Sequence, residues 1–268
     1  MTAARPSPQP AGRLLRRWRE QRRLSQLDLS NEAGVSTRHL SFVETGRSQP
    51  SREMVLRLAE RLNIPLRERN RLLLAAGYAP AYAETALDAP QMTAVRAAVS
   101  QVLRGHEPYP AVVVDRRWNL LAANASLTVL TDLVAPRLLE PPANVLRASL
   151  HPDGLAPHIV NLGEWRGHLL SRLRHQVELT GDPELTDLVT ELSRYGDGPS
   201  GAGAERPGPG AIVLPLRLRH DGDELAFFST VATFGTPLDI TLSELSIESF
   251  YPADEHTATV LRRRAGHH

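Results

Sequence analysis

Residues 25–47 read Ser-Gln-Leu-Asp-Leu-Ser-Asn-Glu-Ala-Gly-Val-Ser-Thr-Arg-His-Leu-Ser-Phe-Val-Glu-Thr-Gly-Arg. Two short helices with their own start and stop signals can be read off this stretch. Ser25 is a good N-cap, with Asp28 three residues on and Leu24 and Leu29 at the two staple positions. Leu27, Leu29 and Ala33 give the first of the pair a partly apolar face. Gly34 can take the positive φ that ends a helix and turns the chain at once. Ser36 caps again, with Val35 and Leu40 at its staple positions, and Gly46 ends the second helix near Glu44. Leu40 and Val43 are expected to face inward, and Thr37, Arg38, Ser41 and Phe42 outward. Two capped helices joined by a one-glycine turn form a helix-turn-helix, whose second helix is shaped for the DNA major groove.

The neighbouring stretches complete a small all-α domain. Residues 12–22 place Leu14, Leu15 and Trp18 at helical spacing among arginines. After Pro50, Ser51 caps a fourth helix with Met54, Val55, Leu58, Ala59 and Leu62 on one side. Asn63-Ile64-Pro65 breaks it. A fifth helix carries Leu66, Leu72, Leu73 and Ala76, and Gly77 closes it. Residues 1–11 read as a disordered arm.

Charge separates this head from the rest. Residues 1–71 hold fifteen Arg against seven Asp or Glu, a net +8, and residues 72–268 hold sixteen Arg against twenty-three acids, a net −7. A basic head on an acidic body is the footprint of a nucleic-acid-binding domain joined to another module. The chain has no cysteine, so it has neither a disulfide framework nor a thiolate metal site. No apolar run reaches membrane-span length and no signal-peptide pattern opens the chain, so the expectation is a cytoplasmic protein without a membrane partner.

Leu24-Ser25-Gln26, Ala33-Gly34-Val35-Ser36 and Val43-Glu44-Thr45-Gly46-Arg47, followed by Pro50-Ser51, resemble the xenobiotic-response-element (Cro/C1-type) helix-turn-helix family over residues 12–77. The resemblance implies double-stranded DNA as a partner, read by a homodimer. It implies that Gln26 reaches the DNA backbone and outer base edges. Ser36, Thr37, Arg38 and Ser41 then present the recognition face, and Arg47 clamps a phosphate. Arg38 can donate two hydrogen bonds to one guanine or hold a phosphate instead. Phe42 either touches a thymine methyl or packs under the fourth helix. Arg19 and Glu44 match the family's buried ion pair, which sets them apart from the DNA-contacting residues.

Beyond residues 78–90, read as a linker with two prolines, residues 91–104 resume a helix. A second domain spanning residues 91–264 follows. Ala111–Val114 and Trp118–Ala123 read as strands around the polar turn Asp115-Arg116-Arg117. Helices are suggested at 125–134, 141–150, 155–179 and 183–195. A Gly- and Pro-rich loop occupies 196–211. Three strands follow at 212–220, 225–234 and 245–251, the first two joined by a turn at Asp221-Gly222-Asp223, and then a helix at 253–264. Two strands, a helical block and three antiparallel strands make an α+β, PAS-like order, a sheet covered by helices that can enclose an apolar pocket.

Tyr109-Pro110, Arg117-Trp118-Asn119, Asn124, Asn144-Val145-Leu146-Arg147, His151-Pro152-Asp153-Gly154-Leu155 and Ser249-Phe250-Tyr251-Pro252-Ala253-Asp254 resemble the MmyB-type ligand-binding domain. That resemblance implies a regulator holding a small, apolar or fatty-acid-like effector. Asn124, Asn144, Arg147 and Trp165 are the candidate ligand contacts, with Arg147 placed to pair with a ligand carboxylate. An intradomain salt bridge for Arg147 and plain core packing for Trp165 are the competing assignments.

Other chemistries find little support. His151, His158, His168 and His175 are spaced by seven, ten and seven, not at the i, i+4 spacing of a helical chelate, so no metal or other cofactor is expected. No Gly-x-Ser-x-Gly elbow, Walker A motif or strand-borne Gly-x-Gly-x-x-Gly is present, and an enzyme is not expected. The expected function is therefore a ligand-responsive transcriptional regulator. The alternative is an antitoxin-like or scaffold DNA-binding protein whose second domain binds a partner protein.

Overall fold

The computed structural model describes residues 11–196 and 214–266. Most of the expected N-terminal arm, nearly all of the Gly/Pro loop and the last two histidines lie outside them. The chain divides into two compact units. One runs to Thr85 and takes in Pro237–Ser243; the other comprises Ala86–Thr236 and the residues from Glu244 onward.

The first unit is built of α1 (Ala11–Gln21), α2 (Gln26–Ala33), α3 (Thr37–Glu44), α4 (Arg52–Arg61) and α5 (Leu66–Ala75). Local capping explains these boundaries. Ser25 Oγ accepts from Asp28 N at 3.1 Å while Asp28 Oδ2 accepts from Ser25 N at 3.0 Å, a closed capping box. Gly34 takes φ 63° and Gly46 takes φ 75°, and Ser36 and Ser51 each accept a backbone N–H of their first turn. Leu15, Leu29, Leu40, Val55, Leu58, Leu62 and Leu73 are fully buried in one core. Leu27 is not in it. It is 58% exposed, because Leu29, Ser30 and Ala33 form the inward stripe of α2. Residues 78–85 do not run free of the helices. Asn70 Oδ1 accepts from Ala81 N at 2.9 Å and Tyr82 N at 3.1 Å, and its Nδ2 donates to Tyr82 O at 2.8 Å. A single polar side chain on α5 thus holds the start of the expected linker.

The second unit opens with α6 (Thr93–Gly105), β1 (Ala111–Val114), β2 (Leu120–Ala123) and the short α7 (Thr128–Thr131). It continues with α8 (Val145–Leu150), α9 (Leu162–Thr180), α10 (Pro183–Arg194), β3 (Leu216–His220) and β4 (Asp223–Thr233). The four-residue α11 (Ile240–Ser243) follows β4 and groups with the first unit; β5 (Ser246–Pro252) and α12 (Glu255–Ala265) then complete the second. The sheet is antiparallel in the order β2-β1-β5-β4-β3. Asp221 and Gly222 both take positive φ, 50° and 86°, as a two-residue hairpin turn requires.

Several boundaries depart from the sequence reading, among them the start of α7 at Thr128, of α8 at Val145 and of β3 at Leu216; two further departures have a clear physical cause. β2 begins at Leu120, not Trp118, because Asp115 folds the chain back. Its Oδ1 accepts from Arg117 N at 2.7 Å and Asn119 N at 2.9 Å. Trp118 then takes φ 68° with its ring buried, a conformation a bulky residue holds only when the surroundings impose it. The long helix begins at Leu162, not 155. Residues before it bridge to β3: Val160 N donates to Arg217 O at 2.8 Å, and Asn161 Oδ1 accepts from Arg217 N at 3.1 Å. Sheet pairing outcompetes helix extension there.

Candidate DNA interface and ligand cavity

The exposed side of α3 is held from behind by a buried polar cluster. Arg19 Nε and Nη2 donate to the two oxygens of Glu44 at 2.7 and 2.8 Å, and Arg19 Nη1 donates to Leu24 O at 2.8 Å. Arg19 is 8% and Glu44 4% exposed. The planar fork of Arg matches a carboxylate in this way. Gln26, the first residue of α2, adds a third donor: its Nε2 reaches Glu44 Oε2 at 2.8 Å. Thr37 Oγ1, in the first turn of α3, lies 2.8 Å from Ser30 Oγ on α2. Two of the expected DNA contacts, Gln26 and Thr37, are thereby held in place before any DNA arrives.

The remaining expected contacts sit on the open side. Ser36 is exposed and occupied as the cap of α3. Arg38 is exposed, with its guanidinium 5.4 Å from the Phe42 ring centre, and Ser41 is half-buried on the same helix. Arg47 is exposed just past α3 and has no ion-pair partner among the described residues.

In the second unit, the helices and the inner face of the sheet line a partly open cavity of about 90 Å³. Its wall is mainly apolar, with Val112, Leu120, Leu130, Leu146, Leu169 and Phe250 among the lining residues. Thr131, Asn144, Ser149 and Glu248 supply the polar groups, and Trp165 is also part of the wall. Ser149 Oγ accepts from Trp165 Nε1 at 3.0 Å, and Trp165 stacks on His168 with ring centres 5.8 Å apart. Partial desolvation beside the Trp165 ring, reinforced by the nearby Arg172, holds the imidazole of the exposed His168 below its usual range.

A family model described as the MmyB-like transcription regulator ligand binding domain matches residues 95–263. The chain belongs to the MmyB-like transcription regulators. A second model, described as helix-turn-helix, matches residues 15–69 of this MmyB-like regulator. The chain is also similar to uncharacterized HTH-type transcriptional regulators of Mycobacterium bovis and of two strains of Mycobacterium tuberculosis. Each is 28% identical over 255 residues, covering 81% of this chain and 98% of the relative. Among the described residues, no helix is long and apolar enough to cross a membrane.

Of the four residues expected to meet a ligand, the MmyB-like regulator brings two to the cavity. Asn144 and Trp165 line it. Asn144 is also the cap of α8, accepting from Arg147 N at 3.1 Å and donating to Arg117 O at 2.8 Å, so its polar atoms serve the backbone. Asn124 is not on the wall. Its buried amide accepts from Ala111 N at 2.9 Å and donates to Tyr109 O at 2.7 Å and Leu103 O at 3.2 Å, tying the end of α6 to β1.

Arg147 is not on the wall either. Its Nε and Nη2 take the two oxygens of Glu191 on α10 at 2.6 and 2.7 Å. The pairing with Arg147 draws the Glu191 carboxyl down to about 2, and burial, reinforced by Glu191, pushes the Tyr195 phenol up to about 12. A depressed carboxyl contributes stability above the usual carboxylate range and loses it as pH falls toward 2. Glu191→Gln is therefore expected to flatten the acid end of the thermal-unfolding profile of the second unit. An unchanged slope below pH ~4 would assign that sensitivity to other carboxylates. Both partners are 37% exposed at the side chain, so solvent screening keeps the effect small.

The four histidines are not brought together. His151 packs edge-on to Tyr195 with ring centres 5.0 Å apart, His168 lies on Trp165, and His175 stands exposed beside Glu178. Three positions that matter escaped the sequence reading. Gly12 sits where a Cβ would fall 2.1 Å from Val43 O at the end of α3. Ser149 and Glu248 are cavity residues. Period-2 alternation along β5 puts Glu248 on the same face as Phe250, a signal that was present in the sequence but lost among polar neighbours.

Proposed function

We propose that this regulator binds a roughly palindromic operator as a homodimer in the cytoplasm and that a small apolar molecule in its second unit changes that binding. The observation that carries the DNA half is the exposed Arg47, without an ion-pair partner among the described residues, beside a recognition helix locked by the Arg19–Glu44–Gln26 cluster. Each recognition helix spans only a few base pairs, which favours two copies on one site. Gln26, Ser36, Thr37, Arg38 and Ser41 are the residues we assign to the operator, with Arg47 on a phosphate. The ligand half rests on an apolar cavity with a few convergent polar groups. A ligand shifts the DNA-binding population only by its differential affinity for the competent and incompetent states.

Titration of a footprinted operator fragment by fluorescence anisotropy tests the assignments. Arg47→Ala should weaken binding to all sequences and reduce the salt slope by about 1, as loss of one phosphate contact predicts. Arg38→Ala should instead relax preference at one operator position, by about 1–3 kcal/mol if the guanine contact is made. Equal loss on every sequence would move Arg38 to a phosphate. An unchanged slope in Arg47→Ala would remove Arg47 from the interface.

A further inference from the structure

Glu248 is the single charged side chain among the described residues on the cavity wall, and it is 6% exposed. On β5 it is paired across the ladder with Val112 of β1, another wall residue. Both of its hydrogen-bond partners fall on one oxygen. Ser229 Oγ donates to Oε1 at 2.8 Å, and Arg172 Nη1 approaches Oε1 at 3.4 Å. Arg172 is shared, since its guanidinium also lies 4.3 Å from the Trp118 ring centre. Oε2 accepts no hydrogen bond among the described residues. Oε2 keeps some accessible surface, so a molecule in the cavity can donate a hydrogen bond to it.

The rest of the wall cannot supply a cation. Arg147, the expected partner for a ligand carboxylate, is spent on Glu191. A carboxylate entering this cavity would meet another carboxylate in a low-dielectric setting, where like charges disfavour each other strongly. A neutral hydrogen-bond donor meets no such repulsion.

We propose that the cavity takes a neutral apolar molecule bearing a hydroxyl group, which donates to Glu248 Oε2, and that it discriminates against carboxylic acids of the same chain length. This rests on the reading of the cavity as the ligand site. It departs from the fatty-acid class that the family resemblance suggests.

The test compares 1-octanol with octanoate on the full chain at pH 7.5 by calorimetry. Octanol should bind about tenfold tighter or more, the difference expected for one hydrogen bond to a charged acceptor. Glu248→Gln keeps the shape, removes the charge and adds an N–H donor. It should strengthen octanoate binding and bring the two ligands to within about threefold. A role confined to holding the sheet would lower both affinities together and leave their ratio unchanged, which overturns the proposal. The comparison in the unaltered protein needs no variant, so a poorly folded Glu248→Gln leaves it decided. Octanoate binding as tightly as octanol there would refute the head-group assignment while leaving the cavity as a ligand site. If neither ligand binds up to the solubility of octanol, the ligand-site reading falls with it.

Discussion

Glu44→Ala should lower the stability of the N-terminal unit by about 3–5 kcal/mol, the usual cost of removing one partner from a buried ion pair. The arginine left behind is 8% exposed, with its Nε and Nη2 donors aimed at an empty site. A unit of this size has roughly 3–10 kcal/mol in hand, so much of the population should unfold at moderate temperature. Replacing both partners by apolar residues, Arg19→Met with Glu44→Leu, should recover most of the loss, because no unpaired charge then remains. DNA affinity should not recover in parallel. Gln26 donates to Glu44 Oε2 at 2.8 Å, and the double variant leaves that amide unanchored. Urea unfolding of each variant beside operator titration separates the two effects. A double variant as unstable as Glu44→Ala would show that shape, not charge pairing, sets the cost. One with full DNA affinity would show that the orientation of Gln26 is immaterial.

Gly12→Ala is the second large effect, and two terms compete over its sign. Helix propensity alone favours alanine by about 1 kcal/mol inside a helix. Against this, the added Cβ would lie 2.1 Å from Val43 O and 3.0 Å from Glu44 O. Both are backbone atoms at the end of the recognition helix, so no side chain can rotate out of the way. Overpacking of this kind costs about 1–3 kcal/mol, and more when backbone must move. We expect the clash to win, giving a net loss of about 1–3 kcal/mol or more and a Tm lower by roughly 4–8 °C per kcal/mol. Because α1 also carries Arg19, moving it away from α3 should disturb the Arg19–Glu44 pair and weaken DNA binding. Gly167 on α9 is the control: it is exposed, and a Cβ there meets nothing within 4 Å. Gly167→Ala should stabilise its own unit by up to about 1 kcal/mol. If Gly12→Ala also stabilises, α1 and α3 are not in the close contact described.

The two variants act on one interface, the α1–α3 contact, and should not be additive. Residues that share partners couple by roughly 0.5–3 kcal/mol, so combining Gly12→Ala with Glu44→Ala should cost less than the sum. That shortfall would tie the seating of α1 to the ion pair directly.

Much of this molecule was legible because its signals are local. The caps at Ser25, Ser36 and Ser51 and the left-handed glycines at 34 and 46 act within four residues of the chain, and each stands where the sequence places it. The hairpin at Asp221-Gly222 is local in the same sense. Periodicity identified Leu40 and Val43 as inward, and family resemblance supplied the Arg19–Glu44 pairing, twenty-five residues apart.

Where the outcome depended on a distant competitor, the sequence was silent. β3 takes the residues that would otherwise begin α9. Arg147 has the chemistry to bind an acid, but Glu191 on another helix reaches it first. Asn124 goes to backbone groups of α6 and β1. A hydrogen-bonding side chain goes to whichever partner folding brings within about 3 Å, and that partner is written elsewhere in the chain. The chain's own local chemistry determined the helix-turn-helix, the succession of strands and helices along the chain and the need for an enclosed core. Only the tertiary structure decided which polar groups were left over to face that core, and it left Glu248 instead of Arg147.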